Sequence, residues 1–124
     1  MGLILLNAHI YKLEKGIYPE TFQTIIKEGE IPDLKIKKTG REIMFRGYRI
    51  CLIEKREDGS LYSSPENRKN YFGLYGIPIL YGISGQNKYI VNEQGKMYSM
   101  DFGDAKPIEQ WIKSPIDEGW EYAF

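Results

Sequence analysis

His9 is the only imidazole in the chain. A nucleophilic triad, or a general base working near neutral pH, would rest on it. It stands two residues from Asn7 and two from Tyr11 in an apolar stretch. A histidine in that setting is ordinarily a half-buried group with a backbone partner. Cys51, the only cysteine, lies in the apolar run 48–53. A reactive thiolate needs exposure and a positive neighbour. Arg49 supplies the neighbour on the same strand face, but burial opposes reaction, so Cys51 reads as packing. One cysteine forms no internal disulfide, and one cysteine with one histidine builds no zinc site of Cys/His type. Asp101, Asp104 and Glu109 are spaced to hold a hard divalent ion. Their ordinary reading is a solvated turn whose carboxylates favour the start of a helix. Glu54, Glu57 and Asp58 likewise form a hairpin tip. Asp101-Phe102-Gly103 spells the metal-binding tripeptide of kinases, yet the chain has no glycine-rich phosphate loop, no His-Arg-Asp loop and no Walker loop. No enzyme activity and no cofactor or metal are expected.

Charge is more informative than any single residue. The 124 residues carry 17 Lys+Arg and 17 Asp+Glu, a formal net charge of zero. That total argues against a general nucleic-acid binder, which shows a basic excess. It also conceals two opposed regions. Residues 35–56 hold eight cations (Lys35, Lys37, Lys38, Arg41, Arg46, Arg49, Lys55, Arg56) against Glu42 and Glu54, a balance of +6. Residues 101–124 hold six anions (Asp101, Asp104, Glu109, Asp117, Glu118, Glu121) against Lys106 and Lys113, a balance of −4. Either the two regions neutralise one another in the fold, or one of them is a docking surface. An acidic patch would steer a basic partner at a salt-dependent rate. The basic strip, with Phe45 and Tyr48 nearby, would instead meet RNA phosphates and stack on bases.

The elements that position these groups follow from periodicity and punctuation. A length of 124 residues fits one domain. Residues 3–12 read as a first strand. Pro19 at a helix start, with Phe22, Ile25 and Ile26 on one stripe and Gly29 beyond, predicts a short helix over 19–28. Residues 34–62 read as an antiparallel meander: strands around Leu34–Ile36 and Ile43–Phe45, a central strand at Tyr48–Ile53, and an Asp58-Gly59 hairpin. Ser64 caps a helical turn that Pro65 opens. Ile77 to Ile83 is a strand candidate that Pro78 confines to an edge or a strand start. Residues 88–102 form a hairpin through Glu93 to Lys96. Pro107 opens a second helix with Ile108, Trp111 and Ile112 on one face, and Pro115 ends it. Trp120, Tyr122 and Phe124 alternate as an edge strand. Phe72 and Tyr81 are expected in the core. The fold class is α+β, a mostly antiparallel twisted sheet with two short helices packed on one face. No apolar run approaches the roughly 18–20 residues that cross a bilayer, and the Leu3–Leu6 run is too short for a secretory signal. The expected compartment is the cytoplasm.

The run Gly76-Ile77-Pro78-Ile79, the turn Gly82 to Gln86, Tyr89-Ile90-Val91 and Gly95-Lys96-Met97-Tyr98 leading to Asp101 together resemble the second half of the SUKH superfamily of bacterial immunity proteins. The expected closing helix with Trp111 is similar to the last helix of that group. Tyr18-Pro19-Glu20-Thr21-Phe22 matches its early helix loosely, and the basic meander departs from its pattern. The resemblance implies a single immunity-protein domain over 1–124. Its function would be to bind and neutralise a cognate protein toxin, for instance a basic nuclease domain of a contact-dependent inhibition system. The docking residues expected on this reading are Asp101, Asp104, Asp117, Glu118 and Glu121 for electrostatics, with Tyr71, Tyr75, Trp120 and Tyr122 as aromatic anchors. The alternatives are an RNA- or nucleoprotein-binding module using residues 35–56, a phage-encoded inhibitor of a host protein, and a small enzyme centred on His9 with Asp101 nearby in space.

Overall fold

The computed structural model describes residues 1–27 and 29–123. Seven strands follow one another across a single sheet in chain order: β1 (Lys35–Ile36), β2 (Glu42–Phe45), β3 (Tyr48–Leu52), β4 (Gly73–Pro78), β5 (Lys88–Asn92), β6 (Met97–Met100) and β7 (Glu121–Tyr122). Every neighbouring pair is antiparallel. Two helices accompany the sheet, α1 (Gly2–Lys15) and α2 (Pro65–Arg68). The architecture is therefore α+β and dominated by an antiparallel sheet.

Strand side chains alternate between two faces, and both faces are covered. On the first face Ile43, Ile50, Leu52, Leu74 and Val91 pack beneath Ile4 and Ala8 of α1 and beneath Tyr18, Phe22 and Ile26. On the second, Cys51, Ile53, Tyr75, Ile77, Ile90 and Tyr98 pack under Trp111 and Trp120 from the C-terminal segment. The continuous apolar run of β3 is the signature of a strand buried on both sides. In register, Glu42, Cys51 and Tyr75 lie side by side on the second face.

The first segment is a helix, not the expected strand. Ile4 and Ala8, four residues apart, are its buried positions. Leucine, alanine, lysine and glutamate favour helix, and Gly16 closes it at φ 83° with its N–H on the Lys12 carbonyl. A short apolar run such as Leu3–Leu6 does not distinguish the two states by itself.

Residues 19–28 were expected to be helical. Only a 3₁₀ turn, Phe22–Thr24, forms, and Glu28 lies outside the described residues. The Phe22 N–H donates to the Gly40 carbonyl at 2.6 Å, tying this segment to the β1–β2 turn. Phe22 and Ile26 still bury. Residues 107–112 are not helical either. Lys55 N–H donates to the Glu109 carbonyl and Trp111 N–H to the Lys55 carbonyl, at 3.0 and 2.8 Å. These bonds lay the segment beside Lys55 as an extended strap.

The strand assigned to 77–83 is Gly73–Pro78, fourth of seven and buried along its length. Proline is its last residue, where the ladder ends. Its glycines are sites of close approach: a Cβ on Gly73 would stand 2.9 Å from the Tyr62 ring. The predicted cap holds, with Ser64 Oγ accepting from Asn67 N–H.

Candidate functional site

The C-terminal region meets the end of β6 at one corner of the sheet. β7 pairs only with β6, Tyr122 opposite Tyr98 and Glu121 opposite Ser99, and its outer edge is unpaired among the described residues. Pro115 and a 3₁₀ turn, Ile116–Glu118, deliver the chain to Gly119, whose φ of 94° suits glycine. A Cβ at Gly119 would lie 3.6 Å from the Met100 methyl carbon, so Asp117 and Glu118 arrive next to the end of β6. Asp101 follows directly. Four carboxylates, Asp101, Asp117, Glu118 and Glu121, thus gather at one corner, all exposed and none in an ion pair among the described residues.

Aromatic packing fixes the corner from beneath. The Phe102 ring meets Trp120 edge-on at 5.3 Å, and Tyr122 lies 5.0 Å from Tyr98. Trp120 is 3% exposed and Tyr75 8%. Both were expected to be surface anchors, and both are core residues instead. Their indole and phenol bodies fill the second face, where burying them is worth more than exposing them. Tyr122, 58% exposed, is available at this corner, together with the partly exposed Phe102 ring. Tyr71 lies apart from it, half-buried beneath the Arg56 guanidinium, 3.6 Å from the ring centre. Tyr81, expected in the core, is exposed, and its hydroxyl donates to Asp101 at 2.8 Å. That bond holds the Tyr81 phenol above its ordinary pKa. Asp101 also accepts the Gly103 N–H at 2.8 Å.

Asp104 is different from the other acids. Lys88, 4% exposed at the start of β5, donates to Asp104 at 2.6 Å and to the Lys106 carbonyl at 2.7 Å. The Lys88 hydrogen bond pulls the Asp104 carboxyl below the usual range. Asp104 therefore anchors loop 101–106 to the sheet and is already paired. The sequence reading missed Lys88, because a lone lysine at a strand start carries no sign of burial.

At the basic end the sign is reversed and only part of the charge is matched: among the described residues Lys35, Lys38, Arg41, Arg46 and Lys55 form no ion pair. Glu42 accepts from Arg49 Nε and Nη2 at 3.1 and 2.8 Å and lies 2.6 Å from Lys37 Nζ. Burial works against its charge, but the bonds from Lys37 and Arg49 outweigh it and hold its pKa below the ordinary value. Arg56 pairs with Glu57 and Asp58. Among the described residues no ion pair joins 35–56 to 101–124, so the two regions do not neutralise one another by contact.

Cys51 and His9 each have a side-chain neighbour within hydrogen-bonding range. Burial pushes the Cys51 thiol up to about 11, and its sulfur donates to Glu42 at 3.5 Å. On α1, His9 Nδ1 lies 3.3 Å from the hydroxyl of Tyr18, which follows the helix. Asp101, Asp104 and Glu109 form no cluster able to hold a metal ion among the described residues. No described helix is long and apolar enough to cross a membrane. No protein-family model matches the chain, and no curated protein and no solved structure is significantly similar to it.

Proposed function

We propose that this protein acts by binding another protein, docking the acidic corner at β6–β7 on a basic surface and neutralising that partner as an immunity protein neutralises a toxin. The observation that carries the reading is the set of four exposed carboxylates without ion-pair partners among the described residues, at the corner where β7, which carries Tyr122, forms an unpaired strand edge. Unpaired like charges on one corner destabilise a fold slightly, and they raise the rate at which an oppositely charged partner arrives. A two-residue edge strand adds backbone donors and acceptors that a partner strand can reach. Occlusion of the partner's own site is the mechanism that an exposed, charged corner of this kind serves. A standard interface of this kind buries on the order of 1,600 Å² in total. A basic nuclease domain, whose substrate groove is itself cationic, has the complementary surface.

The test is co-expression with the product of the neighbouring reading frame, followed by association kinetics at two salt concentrations. The expected result is a salt-sensitive complex whose association slows at least tenfold when Asp117, Glu118 and Glu121 are changed together to lysine. A complex that forms at an unchanged rate removes the acidic corner from the mechanism. RNA binding with a log–log salt slope, lost in Arg46→Glu/Arg49→Glu, would transfer the function to the basic region.

A further inference from the structure

Helix α1 is apolar on the side facing away from the core as well as on the side facing it. Ile4 and Ala8 are buried, while Leu3, Leu6, Ile10 and Leu13 are 55, 56, 45 and 86% exposed. Their spacing of three, four and three residues is that of the a and d positions of a heptad, which forms one straight seam on a helix. A helix apolar all round is ordinarily a buried helix, and four large aliphatics in one line exceed the scattered exposure that surfaces tolerate.

We infer that this seam is a self-association surface, on which α1 of a second copy packs antiparallel. Three observations select that occupant. The first is the heptad spacing itself, which matches another helix bearing the same spacing. The second is charge. The first turn of α1 has no side-chain cap and no acidic residue, whereas Glu14 stands exposed in the last turn. With Leu3 opposite Leu13 of the second copy and Leu6 opposite its Ile10, each Glu14 comes level with the other copy's Gly2. An anion then lies at the positive end of each helix dipole, twice over by symmetry. The third is area. A groove of about 400 Å³ flanks the seam at Ile10, between Asn7, Tyr11 and Glu14 of α1 and Ile25 and Lys27 of the segment beside it. Seam and groove together bury on the order of 1,000 Å² in the pair, the threshold for a specific interface. The borders of the seam carry Asn7 and Glu14 on one side and Gly2 and His9 on the other, without the lysines and arginines of a membrane-surface helix.

Sedimentation equilibrium of the purified full chain, from micromolar to several hundred micromolar, tests this. The expected particle is a dimer of two 14.5 kDa chains. Leu6→Glu/Leu13→Glu alters only exposed positions, so its circular dichroism should match the parent while its dissociation constant rises at least 100-fold. Orientation is read by oxidation: Leu3→Cys mixed with Leu13→Cys should yield the mixed disulfide dimer. A chain that stays monomeric over the whole range overturns the inference, including one that instead floats with anionic phospholipid vesicles. So does a dimer indifferent to the double glutamate variant, or Leu3→Cys linking to itself.

Discussion

The two charged regions of this molecule each tie down part of their charge, and they do so with different partners. In the basic meander, Glu42 sits between Lys37 and Arg49, with its side chain 12% exposed, and gathers two cations around one anion. In the acidic C-terminal region Asp104 is engaged by the buried Lys88 and Asp101 by the Tyr81 hydroxyl, while Asp117, Glu118 and Glu121 are exposed and form no ion pair among the described residues. Where a charge is engaged, as at Glu42 and Asp104, it becomes structure. The groups without ion pairs, Lys35, Lys38, Arg46 and Lys55 at one end and the corner carboxylates at the other, leave charge available at long range, where it changes encounter rates and contributes little to folding. Net charge of zero therefore describes neither region.

The comparison breaks most visibly at the pillar beneath the acidic corner. Trp120→Ala should destabilise the fold by about 3–5 kcal/mol in urea unfolding, as emptying a buried aromatic site does; a loss under about 1 kcal/mol would mean that the C-terminal segment is not part of the core. Lys88→Met comes next. It keeps the length of the buried stem but leaves Asp104 and the Lys106 carbonyl without their donor, with an expected cost of about 1–3 kcal/mol. Amide exchange should locate the loosening in 101–106.

Glu42→Gln is expected to be milder, about 1 kcal/mol, because Lys37 and Arg49 remain partly solvated and the amide oxygen still accepts. Its sign with pH is fixed. A carboxyl held below its unfolded pKa stabilises above the ordinary carboxylate range, and that contribution is lost as pH falls through the lowered folded value. Glu93 works the other way. Burial raises its pKa, so its share of stability grows as pH falls. The stability difference between parent and Glu42→Gln should therefore shrink on acidification, whereas a difference independent of pH would show that the Glu42 charge is idle. The smallest effect on stability belongs to the combined change of Asp117, Glu118 and Glu121 to lysine, within about 0.5 kcal/mol per site. Thermal unfolding checks this, and a larger loss would assign those carboxylates to the fold and not to docking.

Much of the sheet was legible in the residues. The meander from Leu34, the two-faced strand at Tyr48, the hairpin at 88–102 and the Ser64 cap follow from alternation, turn chemistry and capping, all of which act over a few residues. The errors share one cause. The helices expected at 19–28 and 107–112 have apolar spacing that suits a helix, but their backbone groups bond to Gly40 and Lys55, far away in the chain. At the candidate site the acidic residues could be counted, yet their availability could not. Asp104 is engaged by Lys88 from sixteen residues away, and Tyr75 and Trp120 became core because two remote segments close over the second face.

Composition and pattern alone determine that the chain buries an antiparallel sheet and that its charges divide into a basic and an acidic stretch, because periodicity and charge counts are properties of neighbours in sequence. Which charges are cancelled, which aromatics are hidden and which face of α1 is left without a partner were decided only by tertiary structure, since pairing and burial depend on groups that folding alone brings within a few ångströms.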